Sequence, residues 1–167
     1  HHLPCILIPS GMPPRSCLGY SMVQLLYVLK KAGLLKTKFA DELLSGLDLI
    51  RNQEKAIHRT ALQLAEKLHQ QHIALYTTAG YEGLAIRFRQ QLNENGKVLA
   101  WHNVIPEMTH NEIVGWKNRH DDTTVIFCYH EQDYEKYLRR LKYLKKVVKK
   151  YTVNSTELVL KGNRFWK

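Results

Sequence analysis

The sequence predicts an α/β fold, a three-layer αβα sandwich built around a mostly parallel sheet. Short apolar runs of strand length alternate along the chain with longer segments in which apolar residues recur every three to four positions. Strands and helices that alternate in this way form parallel units covered on both faces, with the site at the carboxyl ends of the strands. At 167 residues and 44% apolar composition, the chain can bury one sizeable core and is expected to be a single domain over 1–167.

Five strands are predicted, each bounded by turn residues. They cover residues 3–9, 72–77, 98–104, 123–129 and 152–160. The run at 3–9 is continuously apolar, which is typical of a buried strand.

The predicted helices are amphipathic. One runs from Arg15 to about Ala32, after a proline pair that fixes the backbone. A second covers 39–70, and Gly46 is expected to loosen or break it early. Its apolar stripe favours a core or subunit contact over a cofactor site. That stripe comprises Leu43, Leu47, Ile50, Ile57, Ala61, Leu64 and Leu68.

The net charge of +10 raises the possibility of a nucleic-acid partner. Eight of the 25 basic residues and none of the 15 acidic residues lie between Lys136 and Lys150. Tyr134, Leu138, Leu141 and Val148 recur at helical spacing there, so the charge is predicted to be the solvated face of an amphipathic helix. No helix-turn-helix, zinc-binding or RNA-binding signature accompanies it, and no nucleic-acid partner is predicted.

The remaining composition predicts a cytoplasmic protein. No apolar run is long enough to span a bilayer, and the start of the chain lacks a secretory signal pattern. The three cysteines have no CxxC spacing and are expected to be reduced, buried thiols. His58, His69 and His72 do not fall on one helical face, so no metal site is predicted.

Two loops carry the residues that are best suited to acid–base catalysis. The first ends a helix at Asn95-Gly96 and places Glu94 in the last turn, where the helix dipole disfavours a carboxylate. The second is predicted to open a helix, with Thr109 as N-cap, Glu112 as its capping-box partner and His110 at the first helical position. Residues that contradict local stability preferences, as Glu94 does at a helix end, occur most often at functional sites. A carboxylate and an imidazole can together form an acid–base pair. Spacing alone favours a simpler interpretation, in which Glu94 is an exposed helix-end residue and His110 a capping residue.

These loops read Gln-Leu-Asn-Glu-Asn-Gly-Lys at 91–97 and Pro-Glu-Met-Thr-His-Asn-Glu-Ile-Val-Gly-Trp at 106–116. They resemble the signatures of the bifunctional phosphoglucose/phosphomannose isomerases, a family with the sugar isomerase (SIS) fold. The resemblance implies an SIS-type sheet with flavodoxin-like strand order. It also implies interconversion of glucose 6-phosphate or mannose 6-phosphate with fructose 6-phosphate through an enediolate, without a metal or cofactor.

The resemblance further assigns residues to roles. Glu94 matches the base that moves the proton between C2 and C1, and Arg15 matches the arginine that steadies the enediolate charge. His110 matches the ring-opening histidine, which in the family reaches the site from the partner subunit, so a homodimer is implied. The residues implied to bind substrate are Thr78, Gly80, Asn93 and Asn111.

The resemblance covers the carboxyl-terminal SIS half alone. The family's preceding α/β half, which holds the phosphate, and its terminal helical tail with a catalytic lysine have no counterpart in this sequence. Lys167 lies outside the family's Asp-Pro context and is not assigned that role. The chain by itself is therefore expected to be inactive. Two other functions stay open: a noncatalytic sugar-phosphate-binding regulatory SIS domain, and a nucleic-acid module that uses the basic helix.

Overall fold

The computed structural model describes residues 4–35, 38–152 and 154–162. The chain groups into two compact units, one over 1–53 and one over 54–167. The single domain expected from chain length stays a prediction. The second unit carries the sheet and both of the motif loops.

The sheet of the second unit is parallel throughout and confirms the α/β prediction. The strands are β1 His72–Thr78, β2 Ala100–Ile105, β3 Thr123–Tyr129 and β4 Ser155–Val159. They follow the order β2-β1-β3-β4, which is the predicted flavodoxin-like order. In this register, Tyr76 of β1 lies between Asn103 of β2 and Phe127 of β3.

Helical segments cover both faces of this sheet, which confirms the three-layer sandwich. On one face, Tyr76 and Phe127 pack with Met108, Trp116 and Leu144. Leu144 belongs to helix α4, Glu135–Val148. The other face carries a second cluster of buried residues, joined by apolar side chains from the helix α3, Glu82–Gln91, and from the segment after it. Strands buried on both faces explain the continuous apolar runs in the sequence.

The strand predictions differ in outcome. Residues 123–129 form a strand as predicted, and the strand predicted at 72–77 extends one residue further, to Thr78. The strand predicted at 3–9 is wrong. Residues 4–9 have no regular secondary structure and are exposed, while residue 3 lies outside the described part of the chain. An apolar run becomes a strand only where a neighbouring strand takes up its backbone hydrogen bonds, and in the described residues 4–9 find no such neighbour.

The first unit contains the helix α1, Leu18–Lys31, preceded by a 3₁₀ turn at Pro14–Ser16. Arg15 therefore lies in this turn, before the α-helix, and not inside it as predicted. The helix α2, Phe39–Leu68, begins in this unit and continues into the second. The expected break at Gly46 is wrong, because the helix-forming neighbours outweigh the cost of about 1 kcal/mol for one helical glycine.

The predicted apolar faces of α1 and α2 are largely exposed. No residue of α1 is buried, and Leu25 is 57% exposed. On α2, Leu47, Ile50 and Ile57 are each about half exposed, at 47%, 58% and 47%. At the end of α2, Leu64 and Leu68 join the core of the sheet, and at its start Phe39 is buried.

The basic helix α4 follows its prediction. Leu141, Leu144 and Val148 are buried, whereas most of its lysines and arginines are exposed. Lys145 is an exception, because its Nζ lies 2.6 Å from a carboxylate oxygen of Glu157. No helix in the described ranges is long and apolar enough to cross a membrane. Within the same ranges, no three His, Cys, Asp or Glu side chains are grouped so that they could hold a metal ion.

Candidate active site

Glu94 lies in a π-helical turn, Leu92–Gly96, that continues directly from α3. The backbone N–H of Lys97 bonds to the carbonyl of Leu92, five residues earlier. This wider turn adds a residue to the helix end, so the left-handed position falls on Lys97, with φ 55°, instead of the predicted Gly96. The Glu94 side chain is exposed in the last turn, as predicted. π-Turns are rare, and where they occur they are frequently found at functional sites.

Two contacts hold the Glu94 turn in place. The side-chain oxygen of Asn93 accepts a hydrogen bond from the backbone N–H of Ala100 at 3.1 Å, which ties the turn to the first residue of β2. The Lys97 Nζ donates to the backbone carbonyl of Glu94 at 2.5 Å. Asn93, expected to bind substrate, therefore also anchors the turn that carries the proposed base.

The His110 loop differs from its prediction. It consists of a 3₁₀ turn at Glu107–Thr109 and a second one at Glu112–Lys117, with no α-helix between them. Thr109 is not an N-cap, because its hydroxyl donates to the carbonyl of Pro106. Asn111 takes the cap position, and its side-chain oxygen accepts from the N–H of Glu112 at 2.5 Å. His110 is exposed between the two turns.

Glu112 does not form the predicted capping box, because it finds stronger partners in the sheet. Its Oε1 accepts from the Tyr76 hydroxyl at 2.5 Å and from the Trp101 Nε1 at 2.8 Å. Its Oε2 accepts from the Asn103 Nδ2 at 2.7 Å. Trp116 extends the network by donating its Nε1 to the Tyr76 hydroxyl at 2.9 Å. Burial, and next the charge of Glu112, raise the pKa of Tyr76 far above its ordinary value, so the hydroxyl stays a donor.

The carboxyl end of β1 leads into a 3₁₀ turn, Ala79–Tyr81. Thr78 is buried, and its hydroxyl donates to the Asp133 Oδ2 at 2.8 Å. The same oxygen accepts the backbone N–H of His130 at 3.2 Å. Gly80 is exposed at the tip of the turn. Of the two predicted substrate ligands here, Thr78 already has a structural partner and Gly80 offers its backbone.

The two motif loops lie at opposite ends of β2. The Glu94 turn is bonded to Ala100, where β2 begins, whereas the His110 loop follows Ile105, where β2 ends. Six residues separate these ends by roughly 16 Å at ~3.3 Å per residue. The prediction that the site lies at the carboxyl ends of the strands therefore describes the positions of His110 and Thr78, and is wrong for Glu94.

The loops also lie on opposite faces of the sheet. Leu92, at the start of the Glu94 turn, packs against the cluster that contains Leu75. Met108 and Trp116, on either side of His110, belong to the cluster that contains Tyr76. Neighbouring strand residues point to opposite faces, so the sheet stands between the two loops. The structure of one chain does not bring Glu94 and His110 together. Arg15 is exposed in the first unit, in the 3₁₀ turn before α1.

The Glu112 network was absent from the sequence predictions. Tyr76, Trp101 and Asn103 lie 36, 11 and 9 residues from Glu112. No local rule connects residues at such separations. The available signal was Gly115, which makes a regular helix after Thr109 unfavourable and leaves Glu112 without a helix to cap.

Comparison with known proteins agrees with this architecture. Residues 57–167 match the family model described as the bacterial phospho-glucose isomerase C-terminal SIS domain. The chain is 31% identical to a bifunctional phosphoglucose/phosphomannose isomerase of Thermoplasma volcanium over 92% of its length and 48% of the relative's. It is 26% identical to the protein of the same name from Aquifex aeolicus, over 95% of this chain and 48% of the relative. The chain thus spans about half the length of these two relatives.

A solved structure shares the fold. A protein from Clostridium difficile 630, assigned as a phosphosugar isomerase, superposes on 85% of this chain and 40% of its own, with a TM-score of 0.59 and 15% identity. The family match covers almost all of the second unit, which contains the sheet and both motif loops. The chain belongs to the family of the bacterial phospho-glucose isomerase C-terminal SIS domain.

Proposed function

We propose that the chain is the carboxyl-terminal half of an aldose–ketose isomerase of hexose 6-phosphates. The observation that carries this proposal is the pair of anchored motif turns, each of which exposes one group suited to proton transfer, Glu94 and His110. The names of the relatives supply the substrate class, glucose and mannose phosphates. The proposed reaction converts glucose 6-phosphate or mannose 6-phosphate into fructose 6-phosphate.

The proposed chemistry is a proton transfer between neighbouring carbons. His110 helps to open the sugar ring and gives the free aldehyde. The Glu94 carboxylate then removes the proton from C2, and the electron pair of that C–H bond forms the C1–C2 double bond of an enediolate. Arg15 stabilises the negative oxygen. Glu94 returns the proton to C1 while the hydroxyl proton passes from O2 to O1, so the sugar is isomerised with no net loss of atoms or electrons.

The site is proposed to be shared between two subunits of a homodimer. Glu94 and His110 of one chain are separated by the length of β2 and by the sheet itself. A base and a ring-opening group must both reach one sugar, which is a few ångströms across. A second copy related by two-fold symmetry can place its His110 beside the Glu94 of the first copy. The same symmetry then places the His110 of the first copy beside the Glu94 of the second.

The test uses the full-length parent protein, because the relatives are about twice as long as this chain. Fructose 6-phosphate formation is measured from both aldose phosphates, beside Glu94→Gln. We expect kcat to fall by about 10²–10⁴-fold with substrate binding kept, since the amide keeps the shape and loses the basic oxygen. Glu66→Gln is the matched control, an exposed carboxylate on α2 outside the motif loops. Substrate binding without turnover in the unmutated parent would overturn the enzyme proposal and favour the regulatory SIS domain.

A further inference from the structure

We infer that Glu112 is a positioning residue for His110, and that it acts through hydrogen bonds to strands β1 and β2. The inference rests on the proposed function in so far as His110 serves the reaction. Glu112 lies two residues after His110 in the same loop and is itself only partly exposed. Its two carboxylate oxygens accept three hydrogen bonds, and every donor belongs to the sheet.

Apolar contacts alone would not set the direction of this loop. Met108 and Trp116 are buried on either side of His110 and hold the two ends of the segment against the sheet. Such packing is non-directional, and it leaves the residues between the anchors free to rotate about them. The carboxylate of Glu112 removes this freedom, because its oxygens must face donors at fixed positions on two strands.

The donors are themselves held. The side-chain oxygen of Asn103 accepts the backbone N–H of Val104 at 2.8 Å, so its Nδ2 is turned toward Glu112. The Tyr76 hydroxyl accepts from Trp116 and is thereby directed to donate to Glu112. A displacement of about 1 Å can lower an enzymatic rate by about 10²-fold, so a loop fixed in this way has consequences for the group it carries.

The network offers a reciprocal test. In Glu112→Gln, one side-chain oxygen is replaced by an NH₂ group, so a donor faces either the Asn103 amide or the Tyr76 and Trp101 donors. In Asn103→Asp, two carboxylates face each other instead. The double variant Glu112→Gln with Asn103→Asp restores complementarity, since the new aspartate can accept from the glutamine NH₂ and from the Val104 N–H. A double-mutant cycle then isolates the contact.

The first readout requires no activity. Ring signals of His110 and amide hydrogen exchange over 107–117 are recorded by NMR on the 167-residue chain. We expect Glu112→Gln to shift the His110 ring signals and to speed exchange in this segment about tenfold, and the double variant to reverse both effects. Ile126→Val, a buried change on the other face of the sheet, controls for general destabilisation and is expected to leave both unchanged. Unchanged His110 signals in Glu112→Gln would overturn the inference.

The second readout is kinetic and uses the full-length parent. We expect Glu112→Gln to lower kcat by about 10²-fold while KM changes little, with recovery in the double variant. A single variant with unaltered kcat, despite a displaced His110, would also overturn the inference. An inactive unmutated parent is a different result: it refutes the proposed function, and the NMR experiment still decides whether Glu112 holds the loop.

Discussion

Subunit sharing makes a quantitative prediction about mixed dimers of the full-length parent. In one chain, Glu94 stands at the start of β2 and His110 beyond its end, with the sheet between them. A dimer that pairs a Glu94→Gln subunit with a His110→Asn subunit therefore has one site with both substitutions. Its other site keeps both native residues. If each variant alone retains less than about 1% of the wild-type kcat, the purified heterodimer should recover about half of the wild-type rate per dimer.

The assay needs two affinity tags, so that the heterodimer is isolated free of both homodimers. Fructose 6-phosphate formation is then measured at saturating substrate for the heterodimer and for each homodimer. As a control, a heterodimer in which one subunit carries both substitutions and the other none should have two sites that each lack one group, and should stay inactive. A site shared between subunits is refuted if the first heterodimer is no more active than the homodimers, or if the control heterodimer is half active. Either result means that each site takes Glu94 and His110 from the same subunit.

Three further outcomes follow from the contacts in the second unit. Tyr76→Phe should lower the free energy of unfolding by about 1–3 kcal/mol in urea titrations, because the buried Trp116 N–H loses its acceptor. Glu157→Gln should lower the melting temperature at pH 7, and this difference should shrink as pH falls below the ordinary glutamate pKa. Burial alone would raise the pKa of Glu157, but hydrogen bonds from its lysine and tyrosine partners lower it, so its contribution is present above the ordinary glutamate pKa and is lost as pH falls through the folded value. The side chain is 42% exposed, so this effect should stay under about 1 kcal/mol. Cys17 and Cys128 are buried as predicted, whereas Cys5 is exposed, so that prediction is wrong for Cys5. At pH 8, a thiol reagent should modify Cys5 quickly and leave Cys128 intact until the protein unfolds, because burial raises the pKa of Cys128 to about 12.

The sequence was informative wherever local periodicity and burial coincide. Residues 123–129 were predicted to the residue, because a strand buried on both faces is apolar throughout and polar turns bound it. The strand predicted at 3–9 is also apolar, yet residues 4–9 form no strand, since pairing depends on neighbours that composition does not reveal. The capping box failed for a related reason. Glu112 fits the sequence pattern of a capping box with Thr109, yet its carboxylate accepts hydrogen bonds from three side chains of β1 and β2 instead.

The position of Glu94 illustrates the same limit for the site. Its turn was predicted from Asn95-Gly96, and the strand predicted at 98–104 separates that turn from the His110 loop, so the two groups come from its two ends. The general rule that places sites at the carboxyl ends of parallel strands fits only His110 of this pair. The helix α3 starts at the carboxyl edge, after β1, and must return the chain to the amino edge before β2 can run parallel to β1. A residue at the end of such a helix is carried away from the edge where His110 lies. The topology therefore determines the separation of the two groups.

Exposed apolar residues on the long helices bear on the same question of assembly. A single exposed leucine is ordinary, but Leu47, Ile50 and Ile57 follow one stripe of α2, and each is about half exposed. The sequence predicted this stripe as core or as subunit contact. Its last members, Leu64 and Leu68, join the core of the sheet, whereas Leu47, Ile50 and Ile57 lie outside the core clusters. The second subunit proposed for the shared site could also cover these three side chains, so the burial of apolar surface and the completion of the proposed site favour the same homodimer.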